Sequence, residues 1–186
     1  MVITIKSTVD RRILKSQEAI KNAFIELMSK KNFDKITIQE ISDKANVGRR
    51  TFYDHYMDKY DLLDKITEEH INELKRLCES ASNLTFKDAN LTVFEYLQSN
   101  YSFFSTMLAS SGAPSFHSRF LEFVIEGLKE EVDITQGKNK GLSKDVILKF
   151  FGTAIVGMME TYFTNEIPEP PQVIAEQVGI LLDRNL

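Results

Sequence analysis

Very little in this sequence points to chemistry. Of its 186 residues one is a cysteine, Cys78, so no disulfide can form within the chain. Only three are histidines: His55, His70 and His117. His70 and Cys78 stand eight positions apart, too far along one helix to chelate a metal alone, and no Cys-x-x-Cys or His-x-x-x-His pair occurs. Ser110 and Ser111 lack the turn that exposes a serine nucleophile. The Gly137-Lys138 pair has no hydroxyl at Walker spacing and no strand before it, so it reads as a surface loop. Glu68-Glu69 and Glu130-Glu131 read as solvated helix faces. No catalytic residue, cofactor or metal is expected, and the chain is not read as an enzyme. No apolar run is expected to approach the roughly 20 residues of a membrane span. The opening MVITIKSTVD lacks both the apolar run and the cleavage site of a signal peptide. A cytoplasmic protein with no membrane partner is expected.

Proline is scarce too. There are four, three of them within 168–171, and apolar residues recur at helical spacing, so the expected fold is all-α. Ile20, Ala23, Phe24, Leu27 and Met28 form one stripe of a helix predicted over Ser16–Lys30, with Ser16 as its cap and Asn32 closing it. Thr37-Ile-Gln-Glu40 has the form of a capping box opening a short helix that runs through Ala45. Asn46-Val47-Gly48 breaks it, a second short helix runs from Arg49 to about Tyr56, and a long one begins near Lys59 with Asp58 as cap. Further helices are predicted at about 90–101, 102–110, 115–131, 143–165 and 171–185, with loops at 110–114 and 136–141.

Charge is unevenly placed. The chain carries a formal net charge of -4, yet residues 1–59 hold twelve Lys/Arg against eight Asp/Glu. Residues 60–186 hold eleven against nineteen. A basic front and an acidic rear imply two jobs, the front one facing a polyanion. Two short helices around a tight turn, the second loaded with cations and hydroxyls, make a helix-turn-helix. Arg49 and Arg50 stand where a guanidinium fork can meet guanine O6 and N7, and Thr51 where it can touch a base. Tyr53 and His55 suit phosphate oxygens, and Lys59 with the first amides of the long helix suits another phosphate. Phe52 and Tyr56 face the domain core, and Asp54 is expected to turn toward Arg50.

Residues 16–66 resemble the DNA-binding domain of the TetR family of bacterial regulators. The likeness rests on Ile20 and Ala23, Ile36-Thr37, Ile41, Ala45-Asn46-Val47, Thr51-Phe-Tyr53, His55-Tyr56, Lys59 and Leu62-Leu63. Asp10-Arg11-Arg12 and the aromatic segment 94–108 are more loosely similar to the subgroup of dihydroxyacetone kinase operon regulators. One departure is Gly48, where the family often has a capping Ser or Thr. The resemblance implies a three-helix DNA-binding domain over 1–60 and a helical effector-binding and dimerisation domain over 61–186. It gives Thr37 a phosphate, Gln39 a base edge, and Arg11, Arg12 and Lys15 a basic arm over a flanking groove. It also implies a homodimer through the helices near 143–165 and 171–185, with Gly152, Ala154 and Gly157 allowing close approach, on a pseudo-palindromic double-stranded operator.

Most of the thirteen phenylalanines lie in the rear domain. An effector pocket there would draw on Phe94, Tyr101, Phe104, Met107, Phe120, Phe151, Met158 and Tyr162, and would take a small apolar or aromatic molecule. The expected function is a repressor of the TetR type modulated by such an effector. The alternative is a regulator controlled by a protein partner, with no small-molecule pocket.

Overall fold

In the computed structural model, residues 11–80, 86–108, 114–164, 167 and 169–186 are described. Nine α-helices and no strand occur among them: α1 Arg11–Met28, α2 Ile38–Lys44, α3 Arg49–Tyr53, α4 Lys59–Ser80, α5 Phe86–Ser99, α6 Tyr101–Leu108, α7 Pro114–Leu128, α8 Lys144–Phe163 and α9 Pro171–Asn185. The chain divides into two compact units, Met1–Ile66 and Thr67–Leu186, with the division inside α4.

The first unit follows its local signals with two exceptions. α1 begins at Arg11, not at Ser16, because nothing in Arg11–Lys15 resists a helix once it has started. Ser16 therefore lies inside α1, its hydroxyl donating to the Ile13 carbonyl (2.8 Å). The stripe Ile20, Ala23, Phe24 and Met28 is buried as its spacing requires. α1 also stops at Met28, so Asn32 does not close it; Asn32 instead accepts the Asp34 amide and caps a 3-10 turn over Phe33–Lys35. α2 has its capping box complete: Glu40 N donates to Thr37 Oγ1 and Thr37 N to Glu40 Oε2.

The turn between α2 and α3 is a Schellman closure. Val47 N donates to Ser42 O (3.0 Å) and Asn46 N to Asp43 O (3.1 Å), with Asn46 at φ 54. Asparagine thus supplies the left-handed residue, while Gly48, at φ -70, serves as the N-cap of α3 and gives it no side-chain hydrogen bond. α3 is shorter than expected, ending at Tyr53, and the chain continues through turn hydrogen bonds to Tyr56. Asp58 caps α4, accepting the amides of Tyr60 and Asp61 at 2.8 Å each.

In the second unit α5 packs on α9, and α8 packs on α6 and α7. Its centre is aromatic. Phe104, fully buried, has Phe103, Phe116, Phe120 and Phe163 around it at centroid distances of 5.1–6.3 Å. Such pairs add about 0.5–1.5 kcal/mol each beyond the area they bury. Contrary to the expectation of no such run, α8 is, among the described residues, the one helix long and apolar enough by length and composition to cross a membrane. Ile147, Leu148, Gly152, Val156, Met159 and Phe163 bury one side of it in this unit. At Gly152 a side chain of α7 comes close: a Cβ there would lie 2.7 Å from Ile125 Cγ1. Its smallness therefore serves packing within the chain, whereas Gly157 has open space beside it. Of the expected loops, 136–141 is found, with a 3-10 turn at Gly137–Asn139 and left-handed Gly137 and Gly141. Residues 110–113 lie outside the described residues.

Candidate nucleic-acid interface

α3 carries the surface that a polyanion would meet. Phe52 is fully buried and Tyr56 nearly so, which turns positions 49, 50 and 53 outward. Arg49 and Arg50 are exposed, and Tyr53 is 49% exposed. Arg49 lies over the Tyr53 ring, its Cζ 5.9 Å from the centroid and its Nη2 3.4 Å from the hydroxyl. Arg50 makes no ion pair among the described residues, and Asp54 does not reach it as expected. Thr51 is half-buried. On α2, Thr37 and Gln39 are exposed, but each has a local partner: Thr37 its capping box, Gln39 a hydrogen bond to Asp43 (2.7 Å). Arg11, Arg12 and Lys15 are exposed in the first turns of α1, not on an arm ahead of it.

Two expected phosphate contacts are engaged within the domain. His55 is half-buried with Nε2 2.7 Å from Ser16 Oγ. The serine proton already goes to Ile13 O, so His55 Nε2 is the donor, and the bond ties the end of the reading segment to α1. Lys59 Nζ donates to the carbonyls of Phe33, Asp34 and Ile36, each at 3.0 Å. Two of the first amides of α4, those of Tyr60 and Asp61, are taken by Asp58, and ahead of the helix Met57 N donates to Asp61 at 2.9 Å. The His55 and Lys59 closures join positions far apart in the sequence. A lysine in the first turn of a helix, where the dipole disfavours a cation, was the one available signal.

Ion pairs fix the rest of the frame. Lys44 joins Glu26 across α2 and α1 (2.7 Å), Lys30 joins Glu26 (2.6 Å), and Lys31 joins Glu40. Hydrogen bonds from Lys31, then from Thr37, hold the Glu40 carboxyl down at about 2; those from Lys30, then Lys44, do the same for Glu26.

The expected effector residues divide. Phe94, Phe104, Met107 and Phe120 are buried core side chains. Tyr101 donates to Phe163 O (3.3 Å) and Tyr162 to Gln98 Oε1 (3.0 Å). Phe151 and Met158 line an apolar groove of about 290 Å³ between α8 and α9, with Phe150, Ala154, Leu181 and others. Val146, Phe150, Ala154 and Met158, spaced four apart, are all exposed along α8, Phe150 by 67%. Val173, Ile180 and Leu181 are exposed on α9. His70, which the sequence offered only as a poor metal ligand, stacks on Phe103 (4.0 Å) and meets the Tyr96 hydroxyl at 2.7 Å. No group of three His, Cys, Asp or Glu among the described residues is arranged to hold a metal.

Comparison with known proteins gives two family matches. Residues 20–66 match the family described as bacterial regulatory proteins, tetR family, and residues 84–184 match a transcriptional regulator C-terminal region. The chain is 25% identical over 181 residues to the HTH-type transcriptional regulator YxbF of Bacillus subtilis, covering 94% of this chain and 46% of YxbF, so it spans about half of that relative's length. It is 26% identical over 145 residues to DhaS of Lactococcus lactis, the HTH-type dhaKLM operon transcriptional activator, covering 75% of each. The fold is that of a TetR transcriptional regulator from Streptococcus agalactiae, with a TM-score of 0.72 at 24% identity over 93% of this chain and 96% of that one.

The depressed carboxyls sit in solvent-exposed ion pairs, so a small acid dependence of the first unit's stability is expected from them. Their folded values lie below the ordinary 4.5, so their contribution is complete above that pH and is lost as pH falls toward about 2. Thermal melts from pH 5 to 2 should show this loss, and Glu40→Gln should show less of it. Equal pH dependence in variant and wild type would remove Glu40 from the account.

Proposed function

Because the chain belongs to the TetR family of bacterial regulatory proteins, we propose that it reads a pseudo-palindromic operator as a homodimer and represses transcription there until an effector releases it. The observation that carries the DNA reading is α3 itself, with two exposed arginines and an exposed tyrosine over a buried Phe52. Arg50, in no ion pair among the described residues, reads a base; Arg49, braced on Tyr53, Thr51 and Gln39 add reading or positioning contacts. Thr37, Tyr53, Arg11 and Arg12 take phosphates. The division of charge favours the same end of the chain.

The exposed stripe on α8 and its counterpart on α9 support the dimer. An apolar row of this kind is a face awaiting a partner, and two reading helices on one DNA face must lie about 34–36 Å apart. The effector is a small apolar or aromatic molecule taken up among the aromatic side chains of the second unit. It acts by preferring one spacing of the two heads, and shifts the population by no more than that difference in affinity.

A second reading has its own support. DhaS is by name an activator, and Phe94, Phe104, Met107 and Phe120 fill the core of this chain. In that reading the signal is a protein bound to the second unit, and the output is activation.

Two variants test the proposal. Arg50→Ala should weaken binding to the preferred duplex by about 1–3 kcal/mol and relax preference at one base pair in each half-site. Unchanged selectivity would remove Arg50 as a reader. Phe150→Asp should sediment as a single 21.4 kDa chain where the wild type sediments as a dimer; a dimeric variant would put the interface elsewhere.

A further inference from the structure

Lys59 opens α4, where the positive end of the helix dipole disfavours a cation. Its ammonium is instead surrounded by acceptors. The carbonyls of Phe33, Asp34 and Ile36 each accept from Nζ at 3.0 Å, and the Phe33 and Tyr60 rings lie 4.7 and 5.6 Å from it. An ammonium has three protons, and these three carbonyls take them all. Ile36 immediately precedes Thr37, the cap of α2, and Lys59 immediately follows Asp58, the cap of α4. The contact therefore closes the chain on itself at the two ends of α2, the turn and α3, and encloses nothing else.

We propose that Lys59 is a positioning residue for DNA reading, a clasp across the two ends of the helix-turn-helix, and not a phosphate contact. The inference rests on the DNA-binding reading above. It deepens that reading by assigning the angle of the reading head to a lysine that never touches DNA. The chemistry makes a sharp distinction between lysine and arginine. Three carbonyls converging on one point fit the tetrahedral ammonium, whose donors share one nitrogen. The planar guanidinium spreads its donors over separate nitrogens and cannot satisfy them together. At a phosphate the order reverses, since arginine binds there at least as well as lysine.

The test compares full-length Lys59→Arg and Lys59→Met with wild type. Thermal unfolding without DNA is measured first. Binding follows, below both melting points, to the duplex recovered by selection from a random pool and to a mixed-sequence duplex of equal length, across a salt series. Both variants should melt below wild type, and arginine should not rescue methionine. Discrimination between the two duplexes should fall about tenfold in both, while the slope of log affinity against log salt stays at the wild-type value. Wild-type melting and binding by Lys59→Arg would overturn the proposal. So would a salt slope smaller by about 0.9 in Lys59→Met, the signature of one lost phosphate contact. A variant that melts early yet discriminates normally would also overturn it, leaving Lys59 a stabilising residue only. If wild type binds neither duplex, the DNA reading fails, while the melting of Lys59→Arg still decides the clasp.

Discussion

α3 has five residues, too few for its own hydrogen bonds to keep it helical in water, since isolated helices become stable only beyond about 12–15 residues. Its shape must be imposed from outside, and much of the first unit is arranged to do so. Phe52 anchors it from beneath. The Schellman closure at Asn46 aims its start, and the capping box at Thr37 with the Asp58 cap fixes the helices on either side. His55 ties its end to α1 through Ser16, and Lys65 donates to His55 O at 3.2 Å. A short reading helix held in this way can present Arg49 and Arg50 with little of its own structure to disturb.

Several lysines at the front of the chain are engaged within it, while Lys15 and the arginines of α3 are exposed. Lys30, Lys31 and Lys44 are in ion pairs with Glu26 and Glu40, and Lys59 lies against carbonyls. The arginines of α3 face out. Lysine, a compact point charge, suits the carbonyl cluster at Lys59; arginine, a flat fork, suits bidentate recognition. The count of basic residues therefore points to the half that carries the helix-turn-helix, and several of those residues are engaged within the chain.

What could be read from the sequence was whatever acts over a few residues. The capping box, the break at Asn46, the uncapped Gly48 and the inward Phe52 and Tyr56 all follow from local spacing, as do the helices of the second unit. The start of α1 was misplaced because Ser16 is a good cap but the residues before it are equally good helix formers. The Ser16–His55 and Lys59–Ile36 contacts join positions far apart in the chain, which periodicity cannot see. Helical spacing also reports burial without saying what does the burying. It could not separate Phe104, packed among rings, from Phe150, exposed on α8, nor tell that Gly152 makes room for Ile125.

The central claim is that this chain reads a specific DNA sequence as a two-fold dimer. Selection of bound duplexes from a random pool by the purified protein, at near-physiological salt, tests it most directly. The account predicts a palindrome whose half-sites are centred about one helical turn apart, or a multiple of it. A pool that stays random after repeated rounds, with binding abolished by modest salt, would contradict it.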